Sequence, residues 1–176
     1  MATMMEASRL IRSLDWFGGV LPGVVAGVAD DDARWKPADG AWSILEIIGH
    51  LLDEEVRDFR TRVRLTLEDP MQDWPKIDPE GWAVAERYND RDLDDVAQKW
   101  IAERRTSVLW LRGMTNVDWS RSHPHPKAGQ LSAGDLLTAW AAHDALHLRQ
   151  IAKRLFQLAE RNGGECSARY AGEWRA

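Results

Sequence analysis

A single cysteine, Cys166, stands in the whole chain of 176 residues, so an internal disulfide framework is excluded and a reducing compartment is the natural setting. No apolar run reaches the roughly 18 residues that a bilayer span needs. Arg9, Arg12 and Asp15 interrupt the apolar residues of the first segment, which therefore has no signal-peptide pattern. The expectation is a cytoplasmic protein with no membrane partner. Basic residues are also in short supply: 23 Lys and Arg face 28 Asp and Glu, a formal net charge of −5. Nucleic-acid binding needs a concentrated basic face, so this balance argues against such a partner. Internal repeats, low-complexity tracts and inter-domain linkers are missing too. Residues 1–176 are expected to form a single domain with one sizeable core.

What the chain does have is tryptophan: ten of them, spread from Trp16 to Trp174, outnumber tyrosine and phenylalanine together. Their spread predicts aromatic packing along a whole bundle rather than one aromatic patch. Four long segments carry apolar residues at helical spacing. The first, about Ala2 to Ala29, holds Leu10, Leu14, Phe17, Leu21 and Val24 or Val25; Gly18, Gly19, Pro22 and Gly23 should bend its second half. A loop over 30–40, with Pro37 and Gly40, leads to a capping box in which Ser43 caps and Glu46 answers. Trp42 stands ahead of the cap, where it can staple against Ile47. The second helix then runs to about Leu67 with Ile44, Ile47, Ile48, Leu51, Leu52, Val56, Phe59 and Val63 inward.

A proline-bearing loop from Glu68 to Pro79 and a short helix from Glu80 to Arg87 precede the third long helix, about Leu93 to Met114. Its apolar face is Leu93, Val96, Trp100, Ile101, Val108 and Leu111. Arg104 and Arg105 break that register and are expected at the surface. A long connection from Thr115 to Leu131 carries two His-Pro pairs, His123-Pro124 and His125-Pro126, whose histidines are expected to be solvated. Ser132 and Asp135 open the last helix, which ends near Arg161 before Asn162-Gly163-Gly164. With no convincing alternating strand, the pattern predicts an all-α four-helix bundle.

The last helix carries the chemistry. His143 and His147 are four residues apart, so their rings lie one above the other on one helix face, with Cα atoms about 6 Å apart. That face continues through Leu136, Trp140, Ile151 and Leu158 and so points inward. Burying an unbonded polar group costs on the order of 1–3 kcal/mol, and a shared metal ion would satisfy both rings. On its own such a pair also arises by chance. His50, on the flank of the second helix, is the remaining helical histidine. If the second and fourth helices are neighbours, three imidazoles meet. Three neutral histidines suit zinc, nickel or iron and leave coordination positions open. A closed structural site would want a fourth ligand, and Cys166 sits far away in a polar tail.

At this point the chain resembles the DinB/YfiT-like superfamily of metal-dependent enzymes. The resemblance rests on Ala41-Trp42-Ser43-Ile44-Leu45-Glu46 leading to His50-Leu51, on Asp118-Trp119 and His125-Pro126 with Gly129, and on Leu136-Leu137 through His143-Asp144 and His147-Leu148-Arg149-Gln150-Ile151. It covers nearly the whole chain in the expected order. It implies up-down-down-up connectivity, a metal held by His50, His143 and His147, and dimeric assembly. It also implies either hydrolysis or transfer to a low-molecular-weight thiol such as bacillithiol or mycothiol. A homodimer acting on a small-molecule substrate is therefore expected.

Either chemistry needs a proton acceptor beside the ion. Glu54 and Glu46 share the helix row of His50, and Gln150 follows His147 by three residues. Glu54 and Gln150 are the candidates for base or for support of the ligands; each could equally be an ordinary surface group. Asp144, next to His143, points to another side of the helix and reaches an imidazole only indirectly. Three readings stay open: a metal-dependent hydrolase or thiol transferase, a non-catalytic metal- or small-molecule-binding bundle, and a structural protein whose histidines are core hydrogen-bonders.

Overall fold

The computed structural model describes residues 5–37 and 41–174. The first helix, α1, spans Ala7–Val25 and runs through Pro22. The expected start at Ala2 and the loop glycine Gly40 lie outside the described residues. The loop ahead of the second long helix contains a short helix, α2 (Asp30–Arg34), whose first turn is entirely acidic. Three aspartates beside unpaired N–H groups favour helix there, a local signal hidden by the polar composition.

The second long helix is a composite. It starts as α3 (Ile44–Asp53), loosens into a π-helical segment (Glu54–Phe59) and continues as α4 (Arg60–Glu68). Both halves of the expected capping box form: Glu46 N–H donates to Ser43 Oγ at 3.0 Å, and Ser43 N–H donates to Glu46 Oε2 at 2.8 Å. The wider π turn changes which residues face inward, so that Glu54, Glu55, Asp58 and Phe59 are all buried. After α5 (Pro79–Ala85) and a short 3-10 turn comes α6 (Leu93–Gly113), and the last helix, α7, spans Ala133–Gly163.

Two apolar clusters show how the four long helices are threaded. One gathers Phe17, Leu21 and Val25 with Ile44 and Ile48, Leu93 and Val96, and Ile151 and Leu158. The other gathers Leu14 with Phe59 and Val63, Val108 and Leu111, and Leu136 and Trp140. Numbers rise from the second cluster to the first along α1 and α7, and from the first to the second along α3–α4 and α6. The connectivity is therefore up-down-down-up, a four-helix bundle as expected. Because α4 and α6 point the same way, the chain must travel back along the bundle between them, and residues 69–92 do so. Tyr88 in this return is fully buried, donates to the Asp53 carboxylate and lies flat against Gly49.

The connection after α6 is not free of strands. β1 (Ser122–His125) and β2 (Gly129–Ser132) pair antiparallel, with His125 opposite Gly129. Gly129 has φ of +75°, which a side chain would resist. Four-residue strands are too short to alternate visibly, and both are edges, where Pro124 costs little. Arg104 also departs from expectation: it is buried, while Arg105 is exposed.

Candidate functional site

The bundle brings His50 from α3 against His143 and His147 from α7. Nε2 of His143 lies 3.3 Å from Nε2 of His50 and 3.0 Å from Nε2 of His147. One ligand atom from each ring falls within 4.8 Å of the others. Donors about 2.1 Å from a tetrahedral ion stand roughly 3.4 Å from one another, so the spacing suits a first-row divalent metal.

The protonation states suit it as well. Burial, followed by the neighbouring imidazoles, holds His50 down to about 3; burial and the field of His147 and Arg104 do the same to His143, also about 3. Burial lowers His147 too. All three rings are neutral near pH 7, the form that ligates a metal. Nδ1 of His147 lies 2.8 Å from Oε1 of Gln150. With Nδ1–H donating to that oxygen, Nε2 carries a lone pair aimed at the other two rings. A hydrogen on His143 could serve only one of its two neighbours. The donor set therefore fits a shared ion better than a closed hydrogen-bond network.

Glu54, one turn after His50 at the start of the π segment, is buried, with Oε1 4.0 Å from Nδ1 of His50. That is too far for a hydrogen bond, and both atoms lack one among the described residues. Burial, then the adjacent Asp58 carboxylate, raises Glu54 well above the usual carboxylate range. Asp58 pairs with Arg62, whose Nε is 2.7 Å from Oδ1. The tilted ring of Trp42 lies 4.7 Å from that of His50, and Phe59 lies 5.1 Å from His143. Trp42 thus walls the histidine group, beyond the staple expected of it.

Other candidates are drawn elsewhere. Glu46 is held by its cap and by Lys36 Nζ at 2.8 Å, away from the rings. Asp144 turns into the core and takes two hydrogen bonds from Arg104, at 2.6 and 2.9 Å. His123 is not solvated: it is buried, donates from Nδ1 to the Pro70 carbonyl at 2.9 Å and stacks on Trp74 at 4.2 Å. His125 is half-buried, its Nδ1 accepting backbone N–H groups of Lys127 and Ala128 in the hairpin turn. Asp58, Glu55 and Arg104 could not be read from the sequence as residues of this level of the bundle. A one-residue shift of the inward face by a π turn leaves no trace in helical spacing.

Comparison with known proteins bears on the family and the fold. The sequence pattern of the DinB superfamily matches residues 13–151. A protein of Oceanobacillus iheyensis, named provisionally as a metal-dependent hydrolase, is 27% identical over 142 residues, covering 80% of this chain and 81% of its own. Among solved structures, YfiT from Bacillus subtilis superimposes with a TM-score of 0.79 at 17% identity, covering 90% of this chain and 91% of its own. It is described as a probable metal-dependent hydrolase with an unusual four-helix bundle topology, and at that identity the likeness establishes the fold.

Proposed function

We propose that this chain, which belongs to the DinB superfamily, is a metal-dependent hydrolase whose divalent ion is held by His50, His143 and His147. The observation that carries the reading is the convergence of three neutral Nε2 atoms, 3.0 and 3.3 Å apart, from one buried and two half-buried histidines. A bound ion of this kind supplies Lewis-acid polarisation of a substrate oxygen and a lower pKa for water. The chain's own residues do the rest. Gln150 fixes the tautomer and tilt of His147. Glu54, the one carboxylate within 4.0 Å of a ligand ring among the described residues, would be drawn to its ionised form by a bound cation and is the group assigned to accept a proton from the attacking water. Trp42 flanks the ring of His50 and Phe59 that of His143, while His143 and His147 stay half-buried.

Zinc, nickel and iron(II) all suit the donor set. Hydrolysis is preferred to thiol transfer because both relatives are named for it. The reading includes a small-molecule substrate and a homodimer. Protein reconstituted with each metal and offered esters, amides and pairs of a thiol with an electrophile should turn over the first two groups and lose that turnover with a chelator. Activity confined to the thiol pairs would move the assignment to a transferase. Metal binding without turnover of any of them would leave a binding protein.

A further inference from the structure

The guanidinium of Arg104 is buried at the level where all four long helices meet, although α6 supplies none of the three histidines. Four of its five N–H bonds make hydrogen bonds, and the fifth faces a carboxylate oxygen in an ion pair. Nε donates to Glu55 Oε2 at 3.0 Å, and Nη2 lies 2.8 Å from the same oxygen. Nη1 and Nη2 grip the two oxygens of Asp144 at 2.6 and 2.9 Å, and Nη1 also donates to the Leu14 carbonyl at 3.1 Å. The ring of Trp100 lies 4.8 Å from the guanidinium carbon. Room for the stem comes from Gly18, where a Cβ would stand 3.2 Å from Arg104 Cγ.

The two carboxylates are the sequence neighbours of site residues. Asp144 follows His143 and Glu55 follows Glu54. Successive residues of a helix point about 100° apart, so a side chain pinned in the core fixes the rotation of its helix and with it the aim of the next residue. Trp140 adds a second tie, donating from Nε1 to Glu55 Oε2 at 3.0 Å while stacking on Phe59 at 5.8 Å. The clamp thus sets the rotation of α7 against the π segment, the relation on which convergence of the three rings depends.

We propose that Arg104 is a positioning residue for the metal site: through Asp144 and Glu55 it holds His143 and His147 in register with His50 and Glu54 without touching any of them. The proposal rests on the three-histidine reading above.

The test compares wild type with R104K, R104M and the charge-free triple variant E55Q/R104M/D144N, which avoids stranding two carboxylates in the core. Zinc affinity is measured by competition with a chelator, the visible spectrum of the cobalt(II)-loaded protein reports ligand geometry, and thermal melting reports the fold. A guanidinium fork cannot be replaced by an ammonium with three donors, so R104K should weaken zinc binding and alter the cobalt spectrum. The triple variant should melt cooperatively, bind zinc at least tenfold more weakly and show a changed cobalt spectrum. Folded variants with wild-type zinc affinity and cobalt spectrum would overturn the proposal. So would loss of the fold in all three, which would assign the clamp to stability alone. If wild type itself binds no metal, the three-histidine reading is what fails.

Discussion

Gln150 Oε1 lies 2.8 Å from Nδ1 of His147, one turn along the same helix, and accepts a hydrogen bond from Nδ1–H that holds the ring in one tautomer. The carboxamide decides which nitrogen of His147 faces the other two rings. A ligand histidine whose outer nitrogen is fixed in this way loses about 10–100-fold in metal affinity when its partner is removed. Gln150→Ala should show a loss of that size with an unchanged circular dichroism spectrum, and Gln150→Glu, which keeps an acceptor, should recover most of it. Equal zinc affinity in Gln150→Ala and wild type would deny the role.

Glu54 approaches His50 without bonding to it. Glu54→Gln keeps the volume and removes the base. It should retain one metal per chain while hydrolytic turnover falls by about 100-fold or more. Unchanged turnover with full metal content would return Glu54 to a structural role.

In the metal-free protein the histidines should each lower stability in mild acid, while the buried carboxyls of Glu54 and Asp144, held at about 8 and about 6, work in the opposite direction. His50 and His143 sit at about 3 when folded, against an ordinary value of 6.5. Above pH 6.5 both states are neutral and the rings contribute nothing to pH dependence. Below it these rings are protonated in the unfolded chain and not in the folded one, so their contribution to stability falls as the pH drops from about 6.5 towards about 3. At pH 5 the loss is about 2 kcal/mol for each ring. Urea unfolding in chelator at pH 7.5 and 5.0 isolates it by comparison: the change on going to pH 5.0 should be about 2 kcal/mol more favourable for His143→Gln than for wild type. A variant with the same pH dependence as wild type would contradict this origin.

Gly49 is required by the return of the chain along the bundle. A Cβ there would stand 2.8 Å from Cγ of Tyr88, which is itself anchored on Asp53. Gly49→Ala should cost about 1–3 kcal/mol of unfolding free energy. A variant as stable as wild type would show that the Tyr88 ring can move aside.

Much of this architecture is written locally. Ser43 with Glu46 and Ser132 with Asp135 mark helix starts by chemistry that acts over three residues, and both boxes form where expected. His143 and His147 share a face because the helical repeat requires it. The missed features depend on distant partners. Arg104 reads as a surface residue because an unpaired cation in a core is costly, yet its partners lie 49 and 40 residues away in Glu55 and Asp144. His123 finds its acceptor, the Pro70 carbonyl, 53 residues earlier, so its burial is equally invisible in the His-Pro context. The π segment is a tertiary choice, made where one inward row must carry Glu54, Glu55 and Asp58 together.

The central claim is that His50, His143 and His147 hold one ion, and metal analysis of the purified protein tests it most directly. Wild type should carry close to one divalent transition ion per chain. His50→Ala and His143→Ala should each lose most of it under a chelator that leaves wild type loaded, while His123→Ala and His125→Ala stay within error of wild type. Stoichiometric metal that survives the loss of both His143 and His147, or that disappears with His125 alone, would contradict the three-histidine site.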